Sequence, residues 1–373
     1  MLHPHRITLT LICLLALQCC QEEVTSGAKV TFGEEELVIP LMQGGTIAYR
    51  VLNVGNWYGE EVLGYYNQYE SCIELYGIEN QDSVARIPIE QEGPNAIGAV
   101  SELFFINNLL YANVNSTFYA INDEGEVVDQ SDWMRFSDDS SEAVKAYRLW
   151  YALFNNNQSA HQPQDSFLYL NFIRKDKPMD DPDYYLDNPH AIVKYNTSTH
   201  LFDPLPVQYP EQIVENIHTI WVTGLGSPQV DVHGDTVVYN FRYHDEVYRL
   251  VDGKVEVVTI PSTFFPESDP TVLNAMEQME AFNSASGFYP IQYDPYRNLY
   301  VRYQSQYNTI ANSGQLSLSL INMDLELVAE VELPVELGYA FFFRPEAIYV
   351  AVLDKYLPDE NHLRFRPIYV ERE

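Results

Sequence analysis

The chain is poor in cysteine, poor in positive charge and almost without long apolar runs, and each shortage excludes something. Of its four cysteines, Cys13, Cys19 and Cys20 crowd the beginning, which leaves Cys72 alone in the body. No disulfide framework is available, so a large apolar core has to hold the fold. Cys72 stands just before an alternating strand and reads as a small packing residue. Lys and Arg number 21 against 53 Asp and Glu, a formal net charge of −32. A field of that sign repels phosphate backbones and anionic headgroups, which excludes nucleic acid as a partner. The one long apolar run, ITLTLICLLAL, covers residues 7–17 and is too short to cross a bilayer.

Motifs that carry chemistry are missing as well. The nine histidines form no HExxH pair, and His233, Asp235, His244 and Asp245 are close only in sequence, which does not make a metal site. Gly224-Leu225-Gly226-Ser227 lacks the lysine of a phosphate loop and the last glycine of a nucleophile elbow. Asp180, Asp181, Asp183 and Asp187 offer oxygens to Ca²⁺, but not at the spacing of an EF-hand loop. No other cofactor is suggested, and no catalytic residue is assigned.

What is present begins with an address. A short basic start, the apolar run and Cys19-Cys20 directly behind it make a secretory signal over residues 1–19. Leu17-Gln18-Cys19-Cys20 resembles a lipobox, in which a cysteine is diacylated and becomes the new N-terminus. Cys20 is the assigned acceptor and Cys19 the alternative. The acidic Gln21-Glu22-Glu23 that follows resembles the signal that sends Bacteroidota lipoproteins to the outer face of the outer membrane. The expectation is an anchored protein whose only membrane contact is its lipid, with an acidic tether over 20–36 and one domain over 37–373.

The body repeats one grammar, clearest from Ser83 to Gln130. A strand ends, Gly93-Pro94-Asn95 forces a turn, and four short strands follow, at 99–106, 109–114, 118–121 and 126–129. Asn107-Asn108 and Asn122-Asp123-Glu124-Gly125 separate them, residues that tolerate a left-handed backbone. Asp252-Gly253 between 247–251 and 254–260 is another hairpin signal. Further strand runs lie at 73–78, 84–89, 167–173, 192–195, 201–205, 236–241, 299–304, 315–321, 325–333, 339–343, 348–353 and 363–370, whereas 141–154 suits helix or strand. One helix is predicted after the cap at Ser268 or Asp269, with Val272, Met276 and Met279 on one face. The last unit lacks a fourth strand. Leu37-Val38-Ile39-Pro40-Leu41, whose proline suits an edge, supplies it. The pattern predicts an all-β fold, a six-bladed β-propeller closed by an N-terminal strand, with one short helix insertion.

The lipobox-like start together with RIPIEQEGPNAIG (Arg86 to Gly98) and FYAINDEGEVVD resembles a domain-of-unknown-function family of Bacteroidota lipoproteins related to six-bladed propellers. The chain departs from it at Ala96, where the family pattern has a second glycine. The resemblance brings no activity and no catalytic residues with it. Glu92 and Asn95 are read as turn residues or ligand contacts, and Trp57, Tyr58, Tyr184, Tyr185 and Tyr296 as aromatic contacts for a glycan, peptide or outer-membrane protein partner. A binding or scaffold propeller is the leading functional expectation. The alternative is a carboxylate-based hydrolase or lyase at the propeller funnel, by fold analogy.

Overall fold

Residues that accept a left-handed backbone stand at the corners of this chain. Asn107 and Asn108 have φ of 51° and 65°, and Asp252 and Gly253 of 49° and 74°. Two successive positive values make the type I′ turn that lets antiparallel strands keep their twist. In the computed structural model, which describes residues 27–42, 52–90, 97, 100–114, 117–132, 147–149, 159–161, 167–174, 190–210, 228–242, 244–263, 287–308, 313–353, 356–357 and 361–372, such corners link 26 strands. No α-helix occurs among the described residues. The predicted helix after Ser268 lies outside them.

Strands β1 (Ala28–Phe32) and β2 (Leu37–Pro40) come first. Blade one then holds β3 (Leu52–Trp57), β4 (Glu60–Asn67), β5 (Cys72–Gly77) and β6 (Ser83–Pro88). Blade two holds β7 (Glu102–Ile106), β8 (Leu109–Val114), β9 (Thr117–Ile121) and β10 (Val127–Asp132). In blade three, β11 (Tyr147–Leu149) and β12 (Ser159–His161) share one edge of β13 (Phe167–Arg174), followed by β14 (His190–Asn196) and β15 (Phe202–Leu205). Blade four runs β16 (Gln229–His233), β17 (Thr236–Asn240), β18 (Glu246–Val251) and β19 (Lys254–Thr259). Blade five runs β20 (Gly287–Asp294), β21 (Leu299–Asn308), β22 (Ser313–Ile321) and β23 (Leu327–Glu332). Blade six has β24 (Leu337–Phe343), β25 (Ile348–Val352) and β26 (His362–Arg372). The first strand of a blade lies against the first strand of the next, as β3 does with β7 and β16 with β20. Six antiparallel sheets so arranged are a six-bladed propeller with β3, β7, β11 together with β12, β16, β20 and β24 innermost.

The ring closes as the edge proline predicts, and with more chain than expected. β2 pairs with the first part of β26, Leu37 opposite Phe365 and Pro40 opposite His362. β1 pairs with the second part, Ala28 opposite Arg372 and Phe32 opposite Ile368. Residues 28–32, read from sequence as tether, are thus part of the sheet. Alternation carries the packing between blades: Leu63, Tyr65 and Tyr76 of blade one meet Phe342, Leu363 and Phe365 of blade six, with Ile39 of β2 among them. Each such side chain, removed from water, contributes about 1.5–3 kcal/mol.

The two ends of the ring differ. Turns from first to second and from third to fourth strand sit at one end, here the short-turn end. Connections between blades leave from the other, the connection end. Among the described non-glycine residues with positive φ, all but Ser71 lie in turns of the short-turn end.

Candidate functional site

At the connection end two innermost strands depart from regular pairing at the same level. In β20 the register moves from Phe288 opposite Gln304 to Ile291 opposite Arg302, so Tyr289 and Pro290 face one residue of β21. In β24 it moves from Leu337 opposite Val352 to Phe341 opposite Val350. Bulges re-aim side chains and break the ladder, and proline, having no N–H to give, is tolerated in one. Here they bring Tyr289 and Tyr339 into a parallel stack, ring centres 5.7 Å apart and planes 5° from parallel. Behind Tyr289 lies the buried Arg242, its guanidinium carbon 5.5 Å from the ring centre. Gly287 makes room for this arginine, since a Cβ there would stand 3.0 Å from Arg242 Cγ. Tyr339 remains 37% exposed.

The bulge in β20 is held from the neighbouring blade. Asn240, buried at the end of β17, donates from Nδ2 to the Tyr289 carbonyl at 3.2 Å and accepts the Ile291 amide on Oδ1 at 3.0 Å. It also donates to Gln229 Oε1 at 3.1 Å. One side-chain amide therefore satisfies backbone groups on both sides of Pro290. Asn171 does a simpler version of this, donating to the Pro228 carbonyl at 3.0 Å, and Asn53 donates to the Leu103 carbonyl at 2.7 Å.

Nearby, Arg302 is fully buried in β21. Its guanidinium donates to the carbonyls of Asp245 and Ile260 at 3.1 and 2.7 Å and lies 4.0 Å from the centre of the Phe288 ring. Burial lowers its pKa to about 10, so it stays a cation at neutral pH. Glu330 takes the same chain segment from the other side, accepting from the Thr263 amide at 2.8 Å and Thr263 Oγ1 at 2.6 Å, and from Ser262 and Gln304.

Acid groups on the described innermost strands do not converge. Glu102 accepts from Asn113 Nδ2 at 3.2 Å. Asp294 is buried and accepts from the amides of Tyr296 and Arg297 and from the Arg297 guanidinium, the last at 2.6 Å. Asp231 of β16 accepts the Tyr293 amide, and burial of its carboxyl raises the pKa to about 7 against hydrogen bonds that pull it down. His233, two residues on, stacks on Tyr293 with ring centres 3.7 Å apart, and burial lowers its pKa. A general acid or base is available in Asp231, without a second carboxylate beside it among the described residues.

The residues singled out from sequence are scattered by the fold. His233 and Asp235 stand at the short-turn end of blade four and His244 and Asp245 at its connection end, with β17 between them. His244 is buried, which lowers its pKa to about 4, and its Nδ1 is 3.9 Å from Glu246. Trp57, Tyr58 and Tyr296 belong to the short-turn end, where Trp57 is buried and the two tyrosines are exposed. Cys20, Glu92, Asn95, Tyr184, Tyr185 and the Asp180 to Asp187 group lie outside the described residues. Cys72 is buried, as a packing residue should be, and its sulfur accepts from Arg86 Nε at 3.2 Å. Arg86 also lies 3.6 Å from the fully buried Glu74, which Asn67 and Tyr76 bond in turn. The first residue of the RIPIEQEGPNAIG block is thereby a structural tie within blade one.

Fold and site together define the class: a six-bladed propeller with an aromatic stack at its connection end, between blades five and six. Residues 30–331 match the family described as domain of unknown function DUF4221, and the chain belongs to that family. The solved structure of a DUF4221 member from Bacteroides vulgatus is similar at a TM-score of 0.75 and 21% identity, over 94% of this chain and all of that one. A protein of Bacteroides fragilis whose name marks it as exported is similar at a TM-score of 0.53 and 11% identity, over 95% of this chain and 97% of that one. At these identities the likeness is one of fold. None of the curated proteins matches.

Proposed function

We propose that the chain is an exported, lipid-anchored binding propeller of the outer membrane, whose ligand contacts centre on the Tyr289–Tyr339 stack. The observation that carries this is the pair of coincident bulges: two innermost strands give up regular pairing at one level, and what they gain is a partly exposed aromatic platform. Stacked tyrosines, rigid and apolar on the face yet polar at the edge, suit a sugar ring or an aromatic or proline-containing peptide. The lipobox-like residues around Cys20 and the export named for the Bacteroides fragilis neighbour support the address. The alternative, a carboxylate-based hydrolase or lyase, rests on Asp231 alone.

The test is a glycan and peptide screen with the mature protein. A ligand so found is expected to bind about tenfold more weakly to Tyr339→Ala, the loss of one stacking contact. Asn240→Ala, which frees the Tyr289 backbone, is expected to weaken it as well. A ligand indifferent to both but lost on Tyr58→Ala or Tyr296→Ala would move the site to the opposite end. Turnover of a screened compound, abolished by Asp231→Asn, would favour the hydrolase.

A further inference from the structure

We infer that the ring stands on its membrane with the short-turn end toward the lipid and the Tyr289–Tyr339 end facing away. This rests on the lipid anchor at Cys20 proposed above.

The direction of the first strand carries the argument. β1 opens at Ala28, opposite Arg372, the last residue of β26. The Arg372 guanidinium donates to the carbonyl of Asn298 at 2.9 Å. Asn298, with φ of 52°, is a corner of the short turn between β20 and β21. The chain therefore enters the ring at the short-turn end. It then climbs toward the connection end, where Pro40 pairs with His362.

Length makes this orientation binding. Residues 21–27 separate the acceptor from β1, and seven residues reach about 25 Å when fully extended. β26 alone has 11 residues, which at the rise of a strand is about 36 Å of height. A tether fixed at the lower end and shorter than the ring is tall cannot lay the upper end on the bilayer. Surface charge does not set the orientation, which the tether imposes, but it sets the gap to the bilayer. Glu79, Asp123, Glu124, Asp252 and Asp324 are exposed in the short turns, so this end is repelled by anionic headgroups and stands off from them at low salt.

A pair of reporters on one outer strand reads the orientation. Asp324 is exposed in the turn before β23, and Val335 is 60% exposed just beyond its other end. Asp324→Cys and Val335→Cys, each labelled with a fluorophore, leave native Cys72 unlabelled because it is buried. The lipidated protein is extracted from cells and reconstituted into vesicles bearing a headgroup quencher. Quenching at position 324 is expected to exceed that at 335 several-fold. Equal or reversed quenching in vesicle-bound protein overturns the orientation and leaves the anchor standing. Protein that does not associate with vesicles overturns the anchor, and the orientation with it.

Discussion

Two joints of the ring are held together by different means. At the junction of blades four and five, apolar packing of Val238, Val247 and Ile260 on Ile291, Tyr300 and Ile321 is directed by single polar side chains: Asn240 on the Tyr289 bulge, Asp231 on the Tyr293 amide, Arg302 on two carbonyls, and Arg249 on the Met323 carbonyl at 2.6 Å. At the closing seam the backbone directs it. β26 pairs with β1 and β2 over nearly its whole length, and its buried Leu363, Phe365 and Ile368 add apolar packing. Side-chain ion pairs there supplement the ladder, half-buried for Arg364 on Glu36 at 3.2 Å and exposed for Lys29 on Glu371 at 3.7 Å. Consecutive blades already joined by the chain need only to be positioned, which a few directional bonds accomplish. Ends that are distant in sequence need a ladder, because loop closure entropy has to be overcome.

Breaking the seam is expected to have the largest effect. A variant lacking residues 27–41 loses every rung on the outer edge of β26 and exposes that edge, at a cost comparable to the whole stability of about 5–15 kcal/mol. Loss of a cooperative melting transition, with association seen by light scattering, is the expected result. A monomer with a sharp transition would show that the seam is dispensable. At the polar junction, Arg302→Met keeps most of the volume but strips two buried carbonyls of their donor. About 3 kcal/mol should be lost in urea denaturation, and an unchanged midpoint would show that Arg302 is not a tie.

Asp231→Asn sharpens the comparison through pH. A folded pKa raised to about 7, against about 3.9 unfolded, means that the carboxyl favours the fold fully below pH 4. That contribution fades as pH rises and is gone above pH 7. The asparagine variant should therefore match the parent at pH 4 and be more stable at pH 8. We expect on the order of 1–2 kcal/mol, less than the full shift implies because the residue is not wholly enclosed. Thermal melts at the two values decide it; a gap that is the same at both would remove the titration from the account. Least of all, Lys29→Ala at the seam removes an ion pair of 3.7 Å between side chains 63% and 69% exposed. The change in melting should be barely measurable, within about 0.5 kcal/mol.

What could be read from the residues follows the same division. Hairpins cornered by Asn, Asp or Gly were legible, because those residues are needed where φ is positive: Asn107-Asn108 and Asp252-Gly253 predicted their turns directly. The innermost strands β16 (QVDVH) and β20 (GFYPIQYD) were not. β20 carries a proline and a bulge that break its alternation, and β16 alternates but has only Val230 and Val232 as apolar residues, too few to mark a strand. β1 (AKVTF) was hidden in a polar stretch and acquires its pairing from residues some 340 positions away. Arg86 was visible only as part of a family block, with no hint that Glu74 would be its partner. The tyrosine stack was invisible for a related reason. Tyr289 and Tyr339 meet only because bulges in two separate blades fall at one level, and bulges are set by register, not by composition.

The way β1 is seated also decides how the ring answers to mechanical load. A pull on the residues before Ala28, directed away from the short-turn end, runs along β1 and not across it. Its rungs to β26 are then sheared together, where a sideways pull would unzip them one at a time. If that joint gives way, β2 still holds the first part of β26 beyond Gly33 and Glu36. The closure thus works as a two-stage latch, in which the outer stage can slip under tension while the inner one keeps the circle intact.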